Sequence, residues 1–143
     1  MAFELMQEED FDESEKCIEK CLRQYKIWGK TEEIRFEYLK YHHIISYIRM
    51  SQNRPIEAIQ HCMEAIKLGE KCAGSNHPMT QLCRFSLVNH LYLVDDLAKA
   101  LEISRSVLET RSKMCTEFHR FTLDSHFMHG YLNYRADRLQ QAE

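Results

Sequence analysis

Residues separated by 42 positions echo one another along most of this chain, and that period limits the folds open to it more than any other feature. Ala58, Ala100 and Ala142 are spaced by 42 residues, His77 recurs as His119, and Thr80 recurs as Thr122. A fixed period of about 20 to 50 residues marks an architecture of stacked units rather than one globular core. One unit is a turn with a proline at its exit, an apolar helix, a short hinge and a second apolar helix.

Local signals place the helices. A first helix over 11–28 puts Phe11, Ser14, Ile18, Cys21, Leu22 and Tyr25 on one face. Gly29-Lys30-Thr31 breaks it, and Thr31 with Glu32 and Glu33 behind it is an N-terminal cap for a helix from about Glu32 to Ser51. Phe36, Tyr38, Tyr41, Ile44, Ile45, Tyr47 and Ile48 make that helix apolar around most of its girth, which predicts burial between neighbours. Gln52-Asn53-Arg54 is a hinge, and Pro55 opens the next helix, where its missing amide is no loss. Its expected buried stripe is Ile56, Ala58, Ile59, Cys62, Met63, Ala65 and Ile66, and Gly74 suits a left-handed C-terminal cap. Residues 77–113 repeat the plan: Ala100, Leu101, Ser104, Val107 and Leu108 match Ala58, Ile59, Cys62, Ala65 and Ile66, with Asp96 as N-cap. A third first-helix runs from about His119 to Arg135, and Leu139 to Glu143 begin its partner. The expected organisation is a single helical-repeat domain over 1–143: a partial repeat 1–31, repeats 32–73 and 74–115, and a partial repeat 116–143.

The small residues have a steric reason. Paired helices reach the short end of the ~8–10 Å packing range only where a small side chain faces the neighbour. Ala58, Ala100 and Ala142 take that place on second helices, and Ser46, Val88 and Gly130 are the expected counterparts on first helices.

Composition agrees with an all-α fold, since four Gly and two Pro in 143 residues are few for a protein made of tight turns. No run approaches the roughly 18–20 apolar residues of a membrane span. The N-terminus lacks the basic flank and apolar core of a secretory signal, so a cytoplasmic location is expected. Cys17, Cys21, Cys62, Cys72, Cys83 and Cys115 fall at helical positions and read as reduced thiols. The net charge is −3, and neither half has the basic footprint of a nucleic-acid binder. The acidic run around Glu8, Glu9, Asp10, Asp12, Glu13 and Glu15 reads as a solvated face, with steering of a basic partner as the second reading.

The run from Ala65 through Lys67-Leu68-Gly69 and Gly74-Ser75-Asn76-His77-Pro78 to Thr80 resembles the inter-repeat turn of tetratricopeptide repeats of the long, kinesin-light-chain type. The resemblance covers nearly the whole chain and is strongest over 54–109. It implies a right-handed superhelix of antiparallel helical hairpins that serves as a non-catalytic protein-interaction module. Where the kinesin-light-chain type carries peptide-contacting asparagines, this chain has Ile44, Ser86 and Met128. Of the residues that chaperone-tail binders use, only Lys40, Asn89 and Arg135 have counterparts here.

First helices of such hairpins line the concave side. The expected groove set is Lys40, His43 and Tyr47; Leu82, Phe85, Asn89 and Tyr92; and Asp124, Phe127, Tyr131, Tyr134 and Arg135. An open aromatic groove suits a partner helix or an extended peptide, with Phe85, Tyr92, Phe127 and Tyr131 as hot spots. The competing reading is that neighbouring helices fill the groove as core. A structural role, with self-association through open repeat ends, or a regulatory place in a larger protein is the second functional class.

Other chemistry is weakly signalled. His126 with His129 and Cys17 with Cys21 have ligand-like spacing, but four converging zinc ligands cannot be assembled, so no metal is expected. Asp95-Asp96 reads as hinge and cap. There is no phosphate loop, nucleophile elbow or zinc-protease motif, so no catalytic residue and no cofactor is expected.

Overall fold

Each helix begins where a cap or a proline satisfies its first turn. In a computed structural model that describes Glu13, 15–21, 23–24 and 31–142, α1 is Glu32–Ser51, α2 Pro55–Cys72, α3 Pro78–Leu93, α4 Leu97–Met114 and α5 Arg120–Ala142. Thr31 caps α1 by accepting from Ile34 N–H at 3.4 Å, and His77 caps α3, its Nδ1 accepting from Met79 N–H at 3.2 Å. Asp96 caps α4, accepting from Lys99 N–H at 3.4 Å. Residues 15–21 and 23–24 are also helical. Phe11, Ser14, Leu22, Tyr25 and Gly29 lie outside the described residues.

The hinge repeats bond for bond. Asn53 and Asp95, 42 residues apart, both take left-handed backbone at φ 57° and 62°. Asn and Asp tolerate that region better than other L-residues. Arg54 N–H reaches Arg49 O at 2.8 Å, and Asp96 N–H reaches Leu91 O at 2.9 Å. Connections this short make their helices antiparallel neighbours, and α1 packs on α2, α3 on α4, and α4 on α5. Gly74, two residues beyond the end of α2, takes left-handed backbone at φ 93°, as expected of it.

The third hinge does not form. α5 runs unbroken through Asp137 to Ala142. Asp137 is followed by Arg138-Leu139-Gln140-Gln141, good helix formers with neither a proline nor a capping residue. The expected helix end at Arg135 and new helix from Leu139 are therefore corrected.

Burial follows the period inside each hairpin. Ala58, Cys62 and Ala65 are buried and so are Ala100, Ser104 and Val107, while Ile59, Ile66, Leu101 and Leu108 are half-buried in both copies. Ser46 and Val88 are buried as expected. Gly130 is not their equivalent, because it is exposed and a Cβ there would meet nothing within 4 Å. Ile56 at 72% exposure and Met63 at 48% leave the predicted stripe, as do Ile44 and Tyr47 on α1. A helix covered on one side by one neighbour buries a stripe, not its whole girth.

The chain divides into two compact units, Met1–Cys72 and Ala73–Glu143. In the first, the guanidinium of the buried Arg49 pairs with Glu15, with Glu19 at 3.6 Å and with Glu57 at 3.4 Å. Glu15 is thus a partner of a buried cation rather than part of a solvated face. Glu13 is exposed. Burial works to raise the Glu15 pKa, but hydrogen bonds from Gln52 and Arg49 hold it below the ordinary carboxylate value.

Removing a cap tests the local account. Asp96→Ala leaves Lys99 N–H without its side-chain acceptor and removes the 2.7 Å ion pair to Lys99 Nζ. Urea unfolding should show a lowered midpoint. An unchanged midpoint would mean that α4 starts without help from this side chain.

Candidate functional site

In the second unit α5 turns Thr122, Ser125 and Leu132 inward, all at most 1% exposed. Helical spacing then sends Phe127, Tyr131 and Tyr134 outward, at 74, 36 and 56% exposure. Phe127 and Tyr131, one turn apart, stack with centroids at 6.4 Å and planes 9° apart. Tyr92, on the last turn of α3, meets Tyr131 edge-on at 5.6 Å, and the two hydroxyls are 2.9 Å apart. The Arg135 guanidinium lies 5.8 Å from the centre of the Tyr92 ring.

The hydrogen bond to Tyr131 raises the Tyr92 pKa above the ordinary phenol value. The hydrogen bonds from Tyr92 and Arg135 lower that of Tyr131. Either hydroxyl can donate in the bond they share. The result is an exposed aromatic surface with a fixed cation at its edge, an arrangement that can bury large area on a partner at low entropic cost.

The structure brings four of the twelve expected groove residues together here: Tyr92, Phe127, Tyr131 and Arg135. Tyr134 is exposed on the same helix, and Asp124 is exposed with Arg120 at 4.0 Å. Leu82 and Asn89 are half-buried. Phe85 is half-buried, its ring centre 4.7 Å from the guanidinium carbon of Arg111, so it has an internal partner as well as a partly open face. In the first unit Lys40 bonds to Glu37 at 2.6 Å and lies over the Phe36 ring at 5.3 Å. His43 meets Tyr47 edge-on at 5.3 Å, and burial lowers its pKa. Tyr47 is 39% exposed.

Several of the remaining titratable groups are held in place by packing. His129 Nδ1 is 2.7 Å from Ser104 Oγ, joining α5 to α4, while His126 is exposed. His42 and His61 approach Nδ1 to Nδ1 at 2.9 Å, so one imidazole donates and the other accepts. The six cysteines are free, and burial pushes the Cys83 thiol up to about 12, well away from the thiolate form a nucleophile needs. Among the described residues no group of three or more His, Cys, Asp or Glu is arranged to hold a metal ion. No helix among them is long and apolar enough to cross a membrane.

Reading by sequence missed the two buried arginines, Arg49 and Arg111. A signal for the second was present: in the 42-residue register Arg111 falls where Gly69 stands, and Gln81 falls where Leu39 stands.

The helices, their caps and their repeated hinges define a TPR-like helical-repeat fold, all-α. Solved structures bear this out. A single-substitution form of a Podosopora anserina chain described as kinesin light chain nearly identical TPR-like repeats superposes with a TM-score of 0.77, at 17% identity over 95% of this chain. Another structure of those Podosopora anserina repeats gives a TM-score of 0.65, at 16% identity over 89% of this chain and 69% of that one. The chain spans 63% of the first of these proteins. No protein-family model matches the sequence, and no curated protein matches it.

Proposed function

We propose that the chain is a non-catalytic protein-interaction module that captures a peptide or a partner helix on the aromatic surface of its second unit. The observation that carries this reading is the cluster of exposed Phe127 and Tyr131 with half-buried Tyr92, edged by Arg135. Clustered Tyr, Phe and Arg are the residue types that dominate binding energy in protein interfaces. The TPR-like fold supports the reading, because stacked helical hairpins present extended surfaces rather than closed active sites. The 42-residue organisation into repeats 32–73 and 74–115, flanked by partial repeats, and a cytoplasmic location belong to the same proposal.

The test is affinity capture from lysate of the source cell with the tagged chain and with a Phe127→Ala, Tyr131→Ala double variant. The variant should lose the captured set at least tenfold, at about 1–2 kcal/mol or more for each aromatic hot spot, with its helical circular dichroism unchanged. Lys67→Ala, on the exposed side of the first unit, should capture normally. Equal capture by the double variant would sink the proposal.

Self-association is the second reading. It is favoured by Phe118, Leu123 and Leu139, exposed at 79, 51 and 48%. Light scattering across a concentration series separates the two, since a strict monomer at all concentrations rejects self-association.

A further inference from the structure

The second unit also holds a cavity of about 450 Å³ where the starts of α3 and α5 meet the end of α4. Met79, Leu82, Met114 and Phe121 supply its apolar wall, and Arg111 supplies its charge. That volume falls within the roughly 300–1,000 Å³ of small-molecule sites.

Arg111 is the unusual part. It is 5% exposed and lies over the faces of Phe85 and Phe121 at 4.7 and 5.5 Å. It donates to Phe121 O at 3.1 Å, Ser125 Oγ at 2.9 Å and Gln81 O at 3.4 Å, all neutral acceptors. A guanidinium has five N–H donors, so two remain without an acceptor among the described residues. Burial lowers the Arg111 pKa; of the two groups that oppose the shift, Asp124 is exposed and turned to Arg120, and Cys115 is a thiol on the cavity wall. The other buried arginine shows what compensation looks like in this chain: Arg49 has three carboxylates within ion-pair range. A buried charge without a counter-ion is strongly disfavoured. At Arg111 the polar side chain replaces a glycine of the repeat register and borders an open cavity.

Beside Arg111 the lining carries further electropositive or donating groups and one acceptor, the buried Gln81 Oε1, which has no partner. Neither α3 nor α5 has an acidic residue in its first turn, so the positive ends of two helix dipoles stand uncompensated beside it. His119 lines the wall and accepts Phe121 N–H at its Nδ1, 3.3 Å, which leaves the ring proton on Nε2 as a further donor. The negative end of α4 also borders the cavity, but the last turn there carries Arg111 and Lys113.

We infer that this cavity binds a small organic acid, its carboxylate held by Arg111 and its compact apolar body packed against Met79, Leu82, Met114 and Phe121. The site is separate from the aromatic surface and does not depend on it. A carboxylate supplies the missing counter-ion and accepts the unused N–H groups, while the apolar body replaces water on the wall.

Titration calorimetry on the full chain with hydrocinnamate, its neutral isostere hydrocinnamamide, and acetate tests this. Hydrocinnamate should saturate at one site, about tenfold or more tighter than the amide, as expected when an ionised acceptor replaces a neutral one. Acetate, with no apolar body, should show no saturation in the same range. Met114→Trp fills the cavity from its exposed rim and should abolish binding with an unchanged melting curve. Arg111→Met, examined if its circular dichroism is native, should bring acid and amide to the same affinity. Equal binding of acid and amide by the unmodified chain overturns the inference, as does the absence of saturable hydrocinnamate binding. Binding that survives Met114→Trp does so too. A peptide ending in Phe that saturates where hydrocinnamate does not would also overturn it, assigning the cavity to a macromolecule.

Discussion

Leu132→Ala is expected to destabilise the second unit by about 3 kcal/mol, the middle of the range for a buried leucine reduced to alanine. Leu132 is 0% exposed and, among the described side chains of α5, is the one apolar one that is fully buried. Thr122 and Ser125, the other buried residues of that face, bring little apolar area. α5 is held mainly through α4, so the loss falls on the contact that fixes the helix. Amide hydrogen exchange in α5 should accelerate before that in α3 or α4, because stability in a repeat fold is a sum of local and nearest-neighbour contributions. Leu123→Ala, at a site 51% exposed on the same helix, should shift the urea midpoint by the equivalent of about 0.5 kcal/mol or less. Similar losses for the two variants would show that Leu132 does not anchor α5.

The first unit should lose stability as pH falls from 6.5 toward 4. Burial depresses the His42 pKa to about 4 from an ordinary 6.5, with His61 adding to the shift and Glu64 opposing it. Burial also lowers His61 and His43. The unfolded chain therefore binds more protons than the folded one in this window, and stability rises with pH. The contribution is fully present above pH 6.5 and is lost progressively down to about pH 4. At roughly 1.4 kcal/mol per pKa unit, His42 alone accounts for a loss on the order of 3 kcal/mol at the bottom of the window. Its Nε2 is buried without a partner and its Nδ1 faces another imidazole, so only the Glu64 charge offsets the cost of the added proton. Urea midpoints measured from pH 7 to 4.5 should fall for the native chain and fall less steeply for His42→Phe. Parallel curves would show that His42 titrates as freely in the folded state as in the unfolded one.

Much of this architecture was legible in advance because its signals are local. Thr31, His77 and Asp96 cap helices through atoms two or three residues away, and Pro55 and Pro78 open helices with a fixed φ. The buried stripe of α2 and α4 follows from helical spacing and recurs in register. The candidate site was partly legible: Tyr92, Phe127, Tyr131 and Arg135 belong to the faces the period marks out. Phe85 was placed with them, but its ring turned out to serve the buried Arg111.

By itself, then, the sequence determined the helical character, the caps, the two hinges at Asn53 and Asp95, and the small-residue stripe of α2 and α4, since each depends on residues within a few turns of one another. Tertiary structure alone decided which charges are compensated and which small residues are covered. Arg49 meets Glu15 across 34 positions of chain, Arg111 reaches Gln81 across 30, and Gly130 faces open space despite its place in the register. Periodicity marks equivalent positions, but the neighbour at each one depends on which helix packs there, and burial of a charge or a gap beside a glycine exists only once that packing has formed.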